Sequence, residues 1–260
     1  MLSFLAKTFG AAAEAPKPTA SGPLFVVPPS LPQLGAKTGA DLAALGDFLP
    51  LAAEQNPLQL TPSQYLAAAL NERQDVIPVT QALAYSLPEK QRLQWALDSC
   101  EEVKGQLPES ELLCLKSASD YLAAPTAANQ EIARLAASKA DFQGPAGWAA
   151  KAASLSSLTP SVPLSPAVQA ALAKDPPAKT PDVVGLCVAG AVMLAATRAG
   201  QKAKKPDPGD APEKPATIQL AKPNLAPSPD GKPARGSQGA LKMATDFKPF
   251  IEKGLAFAAG

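Results

Sequence analysis

The spacing of apolar residues along the middle of the chain predicts a succession of amphipathic α-helices. In the clearest case apolar residues recur every three or four positions from Leu93 to Val103, and Gly105 and Pro108 end the pattern. The same period returns in segments between Asp41 and Gly200, joined by short connections that favour antiparallel neighbours. No alternation of apolar and polar residues lasts long enough to make a strand. The pattern therefore predicts an all-α fold, an Ala-rich antiparallel helical bundle.

Capping residues mark several helix ends. Thr61-Pro62-Ser63-Gln64 has the form of a capping box with proline at the first helical position, and it opens a helix through Leu70. Ser86-Leu87-Pro88-Glu89 fits a second capping box, and Thr126 is the expected N-cap of a later helix. Gly200 is expected to close the last helix of this region.

Large apolar residues on these stripes are the predicted core anchors. A tryptophan among alanines on a helix is more often a core plug than an interface anchor, although tryptophan is also enriched at binding hot spots. We therefore assign Leu83, Leu93, Trp95 and Trp148 to the core. The next two helical stripes are expected to point inward as well, namely Leu112, Leu115, Ala118 and Leu122, and then Ile132, Leu135 and Ala136.

Composition shifts divide the chain into four regions. Residues 1–40 form a Pro-rich N-terminal arm, 41–200 the helical core domain, 201–237 a Pro/Lys-rich linker and 238–260 a C-terminal helix. The linker holds eight prolines and six lysines, a composition typical of solvated, extended chain. The last helix is expected to kink or restart near Pro249. Because it carries three phenylalanines, we expect it to dock on the core, with docking on another protein as the alternative.

The N-terminal arm carries the residues predicted to contact a partner protein. Met1–Ala15 has an amphipathic character, and Lys7 interrupts its apolar run, which does not fit a cleaved signal. Val26-Val27 is the one strand-like hint in the arm. The predicted partner-binding residues are Leu2, Leu5, Phe9, Phe25, Val26 and Val27.

One apolar segment raises the question of a membrane. Val183–Thr197 contains no charged residue, but fifteen helical residues span roughly 22 Å, short of the roughly 30 Å hydrocarbon core. We therefore expect a central helix buried on all sides. A membrane-inserted helix is the alternative.

Candidate chemistry is sparse. The chain contains no histidine, the usual general base and the commonest metal ligand. Cys100, Cys114 and Cys187 lack metal or redox spacing, and we expect buried, reduced thiols in a cytoplasmic protein. Glu101 and Glu102 are adjacent, so on a helix they point about 100° apart and form no catalytic pair. No cofactor or metal is expected. The net charge is +1, without a basic stripe for nucleic acid.

Four segments resemble a known family when taken in order along the chain. They are Leu87–Glu102 (LPEKQRLQWALDSCEE), the stop and start at Tyr121-Leu122 and Pro125-Thr126, Pro145–Ala153 (PAGWAAKAA) and Val183–Ala196 (VVGLCVAGAVMLAA). Together they resemble the helical bacterial family DUF6931. The resemblance implies a bacterial protein of unknown activity, of a kind found beside type VI secretion components, and it offers no functional residue to transfer.

These observations favour a non-enzymatic adaptor that binds protein partners in a larger assembly. The support is the Ala-rich helical body, the Pro-rich arms suited to wrapping a partner and the absence of familiar site chemistry. A membrane-peripheral or membrane-inserted component is the first alternative. A hydrolase that works without histidine is the second.

Overall fold

The computed structural model describes residues 22–45, 59–159, 182–202 and 238–260. Within these residues there are nine α-helices and no strand, which confirms the all-α prediction. The helices are α1 Gly39–Ala43, α2 Pro62–Ala68, α3 Val76–Ser86, α4 Glu89–Glu102, α5 Glu109–Ala123, α6 Ala127–Lys139, α7 Pro145–Leu155, α8 Val183–Lys202 and α9 Gln238–Ala259. The predicted contact residues Leu2, Leu5 and Phe9 lie outside the described residues, as do linker residues 203–237.

Two of the three predicted N-caps are confirmed. The Thr61 hydroxyl accepts the backbone N–H of Gln64, whose side chain accepts the Thr61 N–H, and Thr126 caps α6. The second capping box is wrong. Ser86 is the last residue of α3, where its hydroxyl donates to the Ala82 carbonyl at 2.6 Å, and the N-cap of α4 is Pro88, which makes no side-chain cap.

Trp95 is buried in the core beneath α9. Its side chain and that of Leu83 are fully buried, and Leu93 is 3% exposed. Trp148 is only half-buried, with its ring against Gly190 of α8, where an added Cβ would lie 3.2 Å from the ring. The two tryptophans therefore differ: one fills the interior and the other covers a close helix contact.

The inward face predicted for α6 is wrong, and so is part of the face predicted for α5. Ile132 and Leu135 are more than half exposed and Leu112 is 37% exposed, whereas Ala133 and Ala137 are fully buried. The small side chains allow α6 to lie close to α5 and α7, and larger residues at those positions would hold the helices apart. Alanine, not the branched residues, makes this interface.

Helix α8 runs through the middle of the bundle, packed against α3, α4, α7 and α9. It is not buried on all sides, because Val183 and Leu186 are each more than two-fifths exposed. Gly200 does not close it, since the helix continues to Lys202. Among the described residues, one helix is long and apolar enough to cross a membrane, Val183–Gln201 with mean hydropathy 1.7, and half of it is buried in the bundle.

The C-terminal helix α9 packs across α3, α4 and α8. It is one continuous helix that includes Pro249, so it does not restart at that residue. Phe247, Phe250 and Ile251 turn inward. Beside the end of this helix, the arm makes one backbone bond to it, from Gln33 N to Ala258 O at 3.1 Å.

Candidate protein-binding site

The N-terminal arm lies against the helical body between residues 22 and 38, without regular secondary structure. Phe25, Leu31 and Leu34 turn inward and are buried. The backbone is held at several points as well, including Gly35 N to Ser86 O at 2.8 Å and Ser63 Oγ to Pro28 O at 2.7 Å. The arm is therefore a segment of irregular chain bound to the surface of a bundle.

Asn71 forms the most specific contact with the arm. Its Oδ1 accepts the Phe25 N–H at 2.8 Å and its Nδ2 donates to the Phe25 carbonyl at 3.1 Å. One side-chain amide thus pairs with both backbone groups of one residue, as a neighbouring strand would. The contact recognises the peptide backbone, and the buried Phe25 ring adds an apolar anchor.

Asn71 lies in a local irregularity of the backbone. After α2 the chain makes a π-helical turn over Ala69–Arg73, ending at Gln74 in the left-handed region with φ 60°. The wider turn changes the direction in which its side chains project, and such turns are frequent at functional sites. Asn71 sits in the middle of this turn, facing Phe25.

The structure sorts the predicted partner-binding residues of the arm into two groups. Phe25 belongs to the chain's own core at 1% exposure, so its assignment as a partner contact is corrected: its ring is already occupied by intramolecular packing. Val27 is partly buried against the same core. Val26 is 73% exposed, the largest value among the large apolar residues described. It is the member of this group free to meet another molecule.

A shallow cavity of about 410 Å³ opens on α2 and the π-helical turn. Its lining includes Asn71, so it adjoins the point where the arm is clamped. The lining residues are Leu60, Gln64, Ala67, Ala68, Asn71 and Glu72. The cavity is open and its lining mixes polar and apolar groups, so it differs from the deep, mainly apolar pockets that are typical of small-molecule sites.

The buried charges form structural ties. Glu111 lies at the N-terminus of α7, where it accepts the Ala146 N–H at 3.3 Å and pairs with Arg198 of α8 at 2.9 Å. A Cβ at Gly144 would lie 2.0 Å from the Glu111 carboxylate, so glycine is needed there for the close approach. The pair joins α5, α7 and α8.

A second polar tie joins the N-termini of α4 and α8 and the end of α7. Arg92 hydrogen-bonds to Asp182, which also accepts the Gly185 N–H at 2.8 Å and so caps α8. Glu89 accepts both the backbone N–H and the hydroxyl of Ser157. These hydrogen bonds and the Arg92 guanidinium lower the pKa of Glu89 against the opposing effect of burial.

The cysteines are buried and free. Burial raises the pKa of Cys114 and of Cys187 to about 11, and it raises the pKa of Cys100 still further, with Glu111 adding to the effect. All three are therefore neutral thiols at physiological pH, and a neutral thiol is a poor nucleophile.

The adjacent carboxylates Glu101 and Glu102 of α4 each pair with a different lysine. Glu101 pairs with Lys104 at 3.0 Å, whereas Glu102 pairs with Lys253 of α9 at 3.0 Å. Within the described ranges, no group of three or more cysteine, aspartate or glutamate side chains lies close enough to hold a metal ion.

Sequence reasoning missed the two polar residues that hold the arm, Asn71 and Ser63. Asn71 belongs to no motif, the capping box that contains Ser63 gives no sign of its bond to Pro28, and each residue lies far along the chain from its partner, 46 positions for Asn71 and 35 for Ser63. The available signal was an asparagine inside an otherwise helical pattern, where its side chain competes with the backbone for hydrogen bonds.

Comparison with known proteins gives one match. A family model described as "Family of unknown function (DUF6931)" matches residues 66–207, from within α2 to just past α8. No curated protein and no solved structure matches the chain. The arm and α9 both lie outside the matched region, whereas the side chains of Asn71 and Trp95, which bind them, lie inside it.

Proposed function

The chain belongs to the DUF6931 family, and we propose that it acts as a non-enzymatic adaptor that binds a protein partner within a larger bacterial assembly. The partner contacts the exposed side of the arm around Val26 and the adjoining cavity on α2. The helical body serves as the rigid support for that surface, because loops and arms bind with more specificity when a scaffold fixes them.

The observation that carries this proposal is the double hydrogen bond between Asn71 and the Phe25 backbone. It holds an irregular segment in one place while Val26, the next residue, projects 73% exposed. A large apolar side chain on an ordered segment loses little conformational freedom when a partner covers it. An arm fixed in this way is suited to binding another protein.

The chemistry of the described residues supports a binding role over catalysis. The cysteine thiols are neutral, and Glu101 and Glu102 each form an ion pair with a lysine. We further propose a cytoplasmic location beside type VI secretion components, on the strength of the family resemblance.

Affinity purification from the native cell, followed by mass spectrometry, tests the proposal. Full-length wild type should retain a defined set of proteins in constant ratio, and Val26→Asp should lose them. Ile132→Asp is the matched control, since Ile132 is also exposed but lies on α6. Equal capture by all three proteins, or loss only in the control, would contradict the proposed surface.

The second candidate is a membrane component, which the hydropathy of Val183–Gln201 favours. Insertion would remove α8 from its contacts with four other helices and expose the Arg198 and Glu111 pair. Carbonate extraction of native membranes separates the two candidates. An adaptor is released into the supernatant, and an inserted protein stays in the pellet.

A further inference from the structure

Helix α9 occupies a groove in the family-matched part of the chain. The floor of the groove is Trp95 of α4, whose indole N–H donates to the Phe250 carbonyl of α9 at 2.8 Å. Leu83 of α3 lies beside it. Both floor residues lie within the matched region 66–207, and α9 lies wholly outside it. A fully buried tryptophan of the family region thus has its hydrogen-bond partner supplied from elsewhere.

The face of α9 that enters the groove has a defined pattern. Its buried residues fall at the spacing of one helical stripe, and they are Ala244, Phe247, Phe250, Ile251, Gly254, Leu255 and Ala258. Gly254 is required by contact, since a Cβ there would lie 2.8 Å from the Trp95 ring. On the rim, Lys253 pairs with Glu102 of α4 at 3.0 Å. The groove therefore distinguishes a helix by its aromatic residues, one glycine and one basic residue.

The connection between α8 and α9 is far longer than cis docking needs. Gly200 of α8 lies against Asp246 of α9, where an added Cβ would be 2.7 Å from the carboxylate oxygen. Yet all of residues 203–237 stand between the two helices, enough chain to reach roughly 100 Å when extended. A long tether holds its ligand at an effective concentration of about a millimolar or less. A partner in trans can compete against such a tether.

We infer that the groove over Trp95 is a helix-binding site, which α9 fills in cis and which an amphipathic helix of a partner protein fills in trans by displacing α9. The partner helix presents aromatic and aliphatic residues at the spacing of Phe247, Phe250, Ile251 and Leu255, with glycine opposite Trp95. This deepens the proposed adaptor function, on which it rests, by adding a second surface and a means of regulating it.

A competition experiment with the full-length chain tests the site. The probe is a fluorescent synthetic peptide of residues 238–260, and its binding is measured by anisotropy. Ile251→Ala weakens the tethered helix and leaves the groove unchanged, because Ile251 is fully buried on α9 itself. We expect it to bind the probe at least tenfold more tightly than wild type. Leu241→Ala, on the exposed side of the same helix, should match wild type.

A second probe fixes the specificity. The same peptide with Gly254→Leu should bind no variant, although leucine favours the helix more than glycine does. Binding of both peptides alike, or of neither at millimolar concentration, would overturn the inference. So would loss of helical circular dichroism in Ile251→Ala, which would make α9 an integral part of the core. None of these results would change the outcome expected for the Val26→Asp capture experiment, so the failure of one proposal can be told apart from the failure of the other.

Discussion

Small residues determine how closely the helices of this molecule pack. Alanine lines the α5, α6 and α7 interfaces, and Gly185, Gly190, Gly200 and Gly254 each stand where a larger side chain of another helix approaches the backbone. A substitution that adds even one methyl group at such a position should therefore lower the free energy of unfolding. The same addition at an open position should not.

Gly144→Ala is the sharpest case. The added methyl group would collide with the Glu111 carboxylate and disturb its bonds to Ala146 and Arg198. We expect a loss of about 2 kcal/mol or more in the free energy of unfolding, measured by urea denaturation. Gly105→Ala is the control, because nothing lies within 4 Å of its Cβ position, and it should be neutral or slightly stabilising. Equal effects would show that the Glu111 contact is wrong.

The two tryptophans should differ in their contribution to stability. Trp95→Ala removes a fully buried ring and should cost about 3–5 kcal/mol. Trp148→Ala removes a half-buried ring and should cost clearly less. Thermal melts of both variants test this, and a larger loss for Trp148 than for Trp95 would contradict the packing.

The buried thiols predict the direction of a pH dependence. The pKa of Cys114 and of Cys187 is about 11 in the folded chain and about 9 in an exposed thiol, so above pH 9 the unfolded state loses protons first. Stability should therefore fall as the pH rises from about 9 towards 11. Comparison with a Cys114→Ala, Cys187→Ala variant isolates this contribution, since the variant should lose less stability over that range. A steeper loss in the variant would show that the thiols are not buried as described.

At the scale of helices, the sequence correctly predicted features that depend on residues close together in the chain. The caps at Thr61 and Thr126 follow from bonds that reach three positions along the chain. Ser86 failed as a cap because α3 continues through it, and α4 begins two positions later than that capping box requires, with Pro88 at its N-cap. The face of α6 was mispredicted because Ile132 and Leu135 outweigh alanine in any hydropathy pattern, whereas close packing favours alanine.

Loss of the Asn71 side chain should loosen the arm as one element. Asn71→Ala leaves the N–H and carbonyl of Phe25 without their partners, and we expect a loss of about 1–3 kcal/mol. Hydrogen exchange at the arm amides, including those of Gln33 and Gly35, should rise together. Glu72→Ala, at the neighbouring exposed position on the same cavity, should leave exchange unchanged. Faster exchange in the control but not in Asn71→Ala would place the clamp elsewhere.

At the scale of the whole molecule, the fold class was predictable and the assembly of the chain ends was not. Helical periodicity is local, so an all-α bundle follows from it directly. The contacts that define both candidate sites join residues far apart, 46 positions from Phe25 to Asn71 and 155 from Trp95 to Phe250. No local pattern carries such information, and neither the asparagine nor the tryptophan reveals its partner from its surroundings in sequence.

We expect the family-matched helices to act as a scaffold on which the two ends of the chain are docked. Native-state hydrogen exchange of the full-length protein, followed by mass spectrometry, tests this most directly. Residues 22–43 and 238–259 should each open as a unit at lower free energy than helices α3 to α8. Exchange of both ends only in the same global unfolding event as α3 to α8 would contradict it, because the ends would then be inseparable parts of one core.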